Sequence, residues 1–530
     1  MNSYDAIVVG AGHNGLVAAA YLARAGMKVL ALERRDLVGG AAVTQEFYPG
    51  YRNSMASYSF GMFRPEIIKD LDLKRHGLET VAYRGAVEFL GNGNTILLTG
   101  DDDRDRATIG RYSNRDYEAM KKLRRQLERV GGIIREQWMR EPPALKGGMS
   151  SIMGGLQTLL SMRHLDEDDR HFLSQMFTTS AYDLVHRWFE SAEIRQLYAG
   201  HCQTGNFATL RAPGTALPFF MNVLGELDGV RNKWGIAKGG MGSVTGALAA
   251  AAREAGVEIR LSAPVERIVV ENGAARGVRL ESGEEVRARF VLANTDPKRT
   301  FLKLLDSKDL DEDFVQDIAA LKFGTGTFRM NLALKSAPVI AGIAEADQER
   351  ALGSIMHILP PIDVMEKNYT QALNGVASEE PYLVIQVPTA LDPSFAPPGH
   401  HVMGILGKYY PFELSGNRNW DDVREATADN IIAYVKRYIP NLEDIIVGRQ
   451  MYSPLDLERV FGLTESENFH GRHELSQIFS LRPHPKAAQY RTPIPGLYIC
   501  GAGAHPGGSV TGAPGYNAAK RVLKDRRLRF

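Results

Sequence analysis

Asp5-Ala6-Ile7-Val8-Val9-Gly10-Ala11-Gly12-His13-Asn14-Gly15 is the stretch that decides the fold. Its first five residues form a short apolar run of strand character. Three glycines follow at the spacing Gly-x-Gly-x-x-Gly. Leu16 to Ala25 then reads as a helix rich in Ala and Leu, stopped by Gly26. Lys28 to Leu32 is a second apolar strand, and Glu33 ends it. Strand, glycine turn, helix, strand and acid in that order make a dinucleotide site. Gly10 allows the tight turn out of the strand, Gly12 lets the backbone approach a pyrophosphate, and Gly15 lets the helix pack close to the strand. The helix N-terminus offers free N–H groups and partial positive charge to the phosphates. Glu33 can accept a hydrogen bond from a ribose hydroxyl. An acid at this place argues against a 2′-phosphate, although Arg34 and Arg35 follow it.

Two further clusters distinguish FAD from NAD. Val38-Gly39-Gly40-Ala41-Ala42 comes just after Glu33 and resembles the Gly-Gly stretch that follows the ribose acid in glutathione-reductase-type FAD proteins. Near the far end, the apolar strand Gly496 to Ile499 runs into Cys500-Gly501-Ala502-Gly503-Ala504-His505-Pro506-Gly507-Gly508, and a helix is expected from Ala513 to Leu523. The N-terminus of that helix could face the flavin edge where negative charge develops on reduction. An NAD site has no need of such a C-terminal piece.

Length and composition set the outer bounds. At 530 residues and 44% hydrophobic residues the chain can bury a large core divided among several domain-sized units. A net charge of +1 gives no electrostatic case for nucleic acid. Cys202 and Cys500 are the only cysteines, which fits a reducing compartment and leaves no Cys-x-x-Cys and no cysteine-based metal site. No apolar run approaches a membrane span, and a first strand at about residue 4 leaves no room for a signal peptide. The expectation is a cytoplasmic protein, with peripheral membrane contact left open.

Along the chain, Gly50 to Pro65 is an aromatic and polar loop, read either as lying near the flavin ring or as ordinary packing. Asp101-Asp102-Asp103 reads as a solvated turn rather than a metal cluster, since three adjacent acids cannot all face one ion. Ser113 to Arg140 reads as a surface helix capped by Ser113 or Asn114 and ended by Pro142-Pro143. Ser150 to Gly225 reads as mostly helical, with Thr215 to Leu224 as core, tunnel wall or membrane-dipping segment, core being the default. Gly239-Gly240-Met241-Gly242-Ser243 precedes a helix, Val244 to Ala255, as a second dinucleotide site would. No buried strand is expected before it and no acid follows at the right distance, so a separate NAD domain is rejected. Val265 to Leu292 reads as a meander with turns at Asn272-Gly273 and Ser282-Gly283. Thr325 to Leu334, Tyr382 to Val387 and His401 to Tyr409 suggest one antiparallel sheet in a second domain. Asp421 to Tyr438 reads as an amphipathic helix.

Asp5 to Gly40, Gly239 to Asp296 and Leu497 to Gly508 resemble the phytoene-desaturase-like branch of FAD-dependent amine-oxidase-type proteins. Cys500 to Gly507 is similar to the Gly-Ala-Gly-Thr-His-Pro-Gly end of carotenoid desaturases. Ala396 to Val402, Asp456 to Leu463 and Ala504 to Gly508 resemble a narrower subgroup. Glu467-Asn468-Phe469-His470 departs from that subgroup's Gly-Asn-x-Phe-His. The resemblance covers nearly the whole chain. It implies an α/β fold with a glutathione-reductase-type Rossmann FAD domain made of residues 1–75, 235–300 and 485–530. A discontinuous α+β substrate domain, residues 76–234 and 301–484, completes it. The expected cofactor-binding residues are Gly10, Ala11, Gly12, Asn14, Gly15, Glu33, Arg34, Gly39, Gly40, Ala41, Val265, Asn294, Gly501, Ala502, Gly503, Gly508, Ser509 and Val510. No metal is expected.

FAD carries the hard step, hydride transfer from carbon to flavin N5. The protein must orient a fairly apolar substrate, and the oxidant is expected to be oxygen or a quinone-like acceptor. His470 is the candidate catalytic group, because Phe469-His470-Gly471 can present an imidazole at a turn; its alternative is a structural histidine. His505 is expected to brace the C-terminal loop, and Cys500 to fill core. Three readings compete: a dehydrogenase, desaturase or oxidase; a flavin-dependent isomerase of a polyene; and a non-enzymatic binding protein, since Rab GDP-dissociation inhibitors share the architecture and bind no flavin. The intact glycine fingerprint and Glu33 argue against the third.

Overall fold

A computed structural model describes residues 3–145, 160 and 162–528. Strand β1 (Ser3–Val9) is buried on both faces from Ala6 to Val9, as a central parallel strand with apolar side chains in succession must be. Gly10, at φ +98°, turns the chain into helix α1 (His13–Arg24), and β2 (Val29–Leu32) returns parallel to β1. Helix α2 (Met241–Glu254) packs beside α1. Strand β3 (Glu285–Ala293) lies parallel to β1 on its other side. Glu258–Arg260 extends the sheet beyond β2, and Leu497–Ile499 joins β3 in parallel. The hairpin Val265–Glu271 and Ala274–Leu280 runs antiparallel onto β3. The C-terminal helix, Ala513–Leu528, crosses α1 at very close range: a Cβ on Gly515 would lie 2.0 Å from the Asn14 carbonyl oxygen.

The second sheet is built around β4 (Thr327–Leu334) and β5 (His401–Lys408), paired antiparallel over their full length. Its strand order is Ile446–Tyr452, β4, β5, Leu383–Gln386, Ile355–Leu359, Ala86–Leu90, Thr95–Leu98. Strand alternation divides β4. Phe328, Met330, Leu332 and Leu334 enter one apolar core with Ile431 and Val435 of the helix Trp420–Lys436. Thr327, Arg329 and Asn331 point the other way, yet they too are buried.

A helical layer covers part of the sheet. Ser113 caps the helix Asn114–Trp138, its side chain accepting from the Asp116 N–H, and Glu167–Thr178, Ala181–Trp188 and Ala192–His201 pack with it. Phe219, Phe220 and Leu224 of the expected apolar patch are buried in this layer's core. Residues 150–159 of the expected helical stretch lie outside the described residues.

Three expectations are corrected. The second sheet is mixed rather than antiparallel, because Ile355–Leu359 pairs in parallel with Ala86–Leu90. A buried strand, Gly235–Ala237, does lead into Gly239; it pairs antiparallel with Thr80–Ala82, outside the first sheet. Asp101 begins a helix rather than a turn, its carboxylate accepting from the N–H groups of Asp103 and Arg104 at the head of Asp102–Gly110. The hairpin Ala86–Leu90 and Thr95–Leu98 also belongs to the second sheet.

The loop between the two bodies, residues 464–482, is held by buried charge. Arg482 donates to the carbonyls of Ala502 (2.9 Å), Gly471 (3.1 Å) and Gln477 (3.1 Å). Lys408 donates to Thr325 O at 3.0 Å and Asn206 O at 3.2 Å. Glu467 has no exposed surface and accepts from the Phe469 N–H at 3.0 Å. Burial pushes its carboxyl up to about 7, against the opposing pull of Lys408, Arg472 and Arg482.

Gly515→Ala should destabilise the protein by about 1–3 kcal/mol despite the better helix propensity of Ala, because the clash is with backbone. Urea unfolding measures this, and an unchanged midpoint would refute the close crossing. A raised folded-state carboxyl pKa contributes stability that is complete below the unfolded pKa and is lost as pH climbs to the folded one. Wild-type stability should therefore fall between about pH 5 and pH 7, and Glu467→Gln should flatten that part of the profile. Parallel profiles for the two proteins would exclude Glu467 as its source.

Candidate cofactor and active site

The three glycine segments meet at the carboxyl ends of β1, β2 and β3. The Asn294 N–H donates to Val9 O at 2.9 Å, and its Nδ2 donates to Gly10 O at 3.0 Å. A Cβ on Gly15 would lie 2.2 Å from Gly10 O, and one on Gly501 2.7 Å from Asn294 O. Gly12 pairs with Gly39 in a β-bridge, and the Gly39 N–H donates to Ala11 O at 2.9 Å. Gly40 lies against Gly12, and Ala41 accepts from the Ser57 N–H at 3.0 Å. No side chain caps α1 at Gly12. Asn14 beside it is buried, and its Oδ1 has no partner among the described residues. A buried helix end without a side-chain cap, with glycine on every approach, fits a pyrophosphate.

Glu33 is buried at the edge of this cradle. Its Oε2 accepts from the Ala11 N–H at 2.9 Å and its Oε1 from the Arg35 N–H at 3.1 Å. Further lone pairs remain for a hydroxyl. Val265 begins its strand two residues after Ala263, whose N–H donates to Glu33 O at 2.8 Å. Arg34 turns elsewhere: it donates to Val460 O (2.7 Å) and Arg459 O (3.3 Å) in the last turn of the helix Pro454–Phe461.

The C-terminal loop closes the other side. A Cβ on Gly503 would lie 2.4 Å from Pro297, and the Ala502 carbonyl is taken by Arg482. The Gly508 N–H donates to His473 Nε2 at 3.2 Å, Ser509 sits at φ +73°, and Val510 packs against the first core. His505 Nε2 lies 3.0 Å from Gln137 O and ties the loop to the helical layer. Cys500 is fully buried and its thiol is pushed far up by burial.

His470 is brought to this cradle rather than to the second sheet. Its carbonyl faces Gly503, and its ring lies near His13 of the first glycine turn. Burial lowers both imidazoles: His13 is held down at about 3, and His470 is lowered by burial and by Arg482 and Arg299 against the pull of Asp296.

Sequence reasoning missed the polar face of the second sheet. Arg329 is fully buried and donates to Ser54 O at 3.2 Å, with its guanidinium 5.0 Å from the Tyr58 ring. Tyr83 donates to Gln386 at 2.9 Å, and Asn53 Nδ2 donates to Asn331 Oδ1 at 2.8 Å. The Gly50–Pro65 loop thus lies over this face. Farther along the sheet, Glu88 lies 3.2 Å from His201 Nε2 and 3.1 Å from His357 Nδ1, and these side chains are grouped closely enough to share one cation. Both histidines hold the Glu88 carboxyl down at about 2 despite its burial. The sequence signal was present in Thr327-Phe328-Arg329-Met330-Asn331-Leu332, whose strict alternation ordinarily marks a solvated face.

Among the described residues, no helix is long and apolar enough to cross a membrane. The model of the family described as flavin containing amine oxidoreductase matches residues 15–523. The chain is 35% identical to pyridine nucleotide-disulfide oxidoreductase domain-containing protein 2 of Rattus norvegicus, over 98% of this chain and 94% of that protein. It is 29% identical to one of the subunits of limonene dehydrogenase from Castellaniella defragrans, over 99% and 95%. Putrescine oxidase bound to putrescine shares the fold at 17% identity, with a TM-score of 0.61 and 99% of each chain covered. A glycine cradle shaped for a dinucleotide, a second sheet facing it and a family match over nearly the whole length lead to one conclusion: the chain belongs to the flavin-containing amine oxidoreductase family, and its cofactor is FAD.

Proposed function

We propose that the protein is a dehydrogenase, desaturase or oxidase that takes a hydride from a carbon of a largely apolar organic substrate. The observation that carries this reading is the convergence of Gly10–Gly15 and Gly501 on Asn294, with Gly39-Gly40 laid against Gly12, opposite a buried sheet face. Bound FAD supplies the hydride acceptor at N5. The α1 N-terminus at Gly12, Ala11 and Asn14 would hold the pyrophosphate, and Glu33 the adenosine ribose, with Val265 nearby. Gly40, Ala41, Asn294, Gly501 to Gly503 and the turn Gly508-Ser509-Val510 would line the remainder.

The chain's own groups do the rest. The second sheet, its covering loop and the helical layer keep water from the reacting carbon. His470, buried in the cradle with its Nδ1 unpartnered among the described residues, remains the candidate catalytic group. Arg34, tied to the helix Pro454–Phe461, links the cradle to the second body. A relative that is named as part of a limonene dehydrogenase supports an apolar substrate. The acceptor is oxygen or a quinone-like compound. A nicotinamide would need a second dinucleotide pocket, and the strand before Gly239 lies outside the parallel sheet that such a pocket requires.

Acid precipitation should release FAD from the purified protein. Gly12→Val and Glu33→Ala should each lower its occupancy, Glu33→Ala by about 1–3 kcal/mol of binding, the range for hydrogen bonds to charged groups. Wild-type occupancy in both variants would count against this placement. After anaerobic reduction with dithionite, the flavin should reoxidise rapidly with air or a soluble quinone and not with NAD+ or NADP+. The reverse pattern would mean that Gly239 to Ser243 serves a nicotinamide after all.

A further inference from the structure

Among the described residues, the two most deeply buried arginines, Arg329 and Arg482, differ in one respect. Arg482 sends its donors to backbone carbonyls at residues 469, 471, 472, 477 and 502. Arg329, with 1% of its surface exposed, makes one hydrogen bond, to Ser54 O. Its Nε and Nη1 have no partner among the described residues. No carboxylate faces it from the elements around it; the titratable groups that do are Tyr58 and Tyr83. A Tyr58 face at 5.0 Å offsets part of the charge, and no more than part.

The surroundings are built for this side chain. Gly404, on the neighbouring strand, leaves the room it occupies: a Cβ there would lie 2.4 Å from Arg329 Nη2. On the same face, Asn331 Nδ2 and Gln450 Oε1, cross-strand neighbours in register, also lack partners. Ser54 links the group to the cofactor body, because its Oγ accepts from the Met241 N–H at the start of α2 at 3.0 Å. Arg329 therefore lies on the seam between the cradle and the second sheet.

The geometry points to Arg329 as the anchor of a substrate carboxylate, at the polar end of an otherwise apolar molecule whose oxidised carbon faces the flavin. This rests on the oxidoreductase reading above. Nη2 keeps a second N–H beyond its bond to Ser54 O; with Nη1 at the end or Nε at the side it leaves one two-donor edge of the planar guanidinium free, and such an edge matches the two oxygens of a carboxylate. A phosphate dianion would leave charge unbalanced, since no second free cation stands beside the guanidinium among the described residues. Asn331 offers a further donor to the same group.

The test uses the purified holoenzyme and the flavin absorption spectrum, titrated with octanoate and, as neutral controls, octanamide and octan-1-ol. Octanoate should bind about 10–100-fold more tightly than octanamide, the equivalent of a charge-assisted hydrogen bond. Arg329→Gln should abolish that preference, and Arg329→Lys should keep part of it; the lysine variant serves if the glutamine variant does not fold. Equal binding of the three compounds by the wild type overturns the inference. So does a carboxylate preference that survives in Arg329→Gln, or wild-type octanoate affinity in Arg329→Lys. If the substitution shifts the flavin spectrum and reduction potential without altering octanoate affinity, the guanidinium serves the flavin ring and the inference is wrong. Absence of flavin from the wild type would instead sink the oxidoreductase reading itself.

Discussion

The amide of Asn294 on the Gly10 carbonyl is the contact on which the site depends. It joins the end of β1 to the end of β3, two strands separated by more than half of the chain. It fits only because Gly10, Gly15 and Gly501 have no side chains: a Cβ at Gly15 would meet both members of the hydrogen bond, and one at Gly501 would meet the Asn294 backbone. The cradle is thus formed by main chain pressed against main chain. Its shape follows from strand register and helix packing, and few rotamers can disturb it.

The second body is held to the first by buried charge. Arg482 gathers the carbonyls of the 469–477 loop and of Ala502, so the C-terminal glycine loop and the loop beneath it move as one unit. Tyr490 extends the same brace by donating to His505 O at 2.9 Å and accepting from Asn517. Stripping a guanidinium of water is costly unless its donors are met, and here the carbonyls meet them. The alternative would be a hydrophobic seam, which packs without fixing orientation; directional bonds hold the loop at one angle to the cradle.

This division of labour explains what was legible. Gly10, Gly12, Gly15 and Glu33 were readable because close backbone approach demands those residue types at that spacing. The Asn272-Gly273 turn announced its hairpin for the same local reason. The parallel pairing of Ile355–Leu359 with Ala86–Leu90 was not readable: no turn joins the partners, and parallel strands leave no signature in the connecting chain. Asp101 looked like a turn because an acid that caps a helix has the same composition as one that starts a loop. Arg34 looked like a cofactor residue by position, and its reach to Val460 O depends on a helix far along the chain. The alternation through Thr327, Arg329 and Asn331 is the pattern of a strand with solvent on one face, and the structure lays Asn53, Ser54 and Tyr58 there instead.

The two halves of the site therefore carry different kinds of information. The cradle recognises its ligand through main-chain N–H groups and a helix end, which any sequence with the right glycines can present. The opposing face presents side chains on a sheet whose strands are paired on both sides: Arg329, Asn331 and Gln386 can each be exchanged without moving a strand, because their backbones are fixed by β4, β5 and their neighbours. Exchanges there would alter what is oxidised and leave the oxidant in place. For the same reason the cofactor could be read from residue spacing, whereas an arginine without a counter-charge among the described residues is found only once the strands are set side by side.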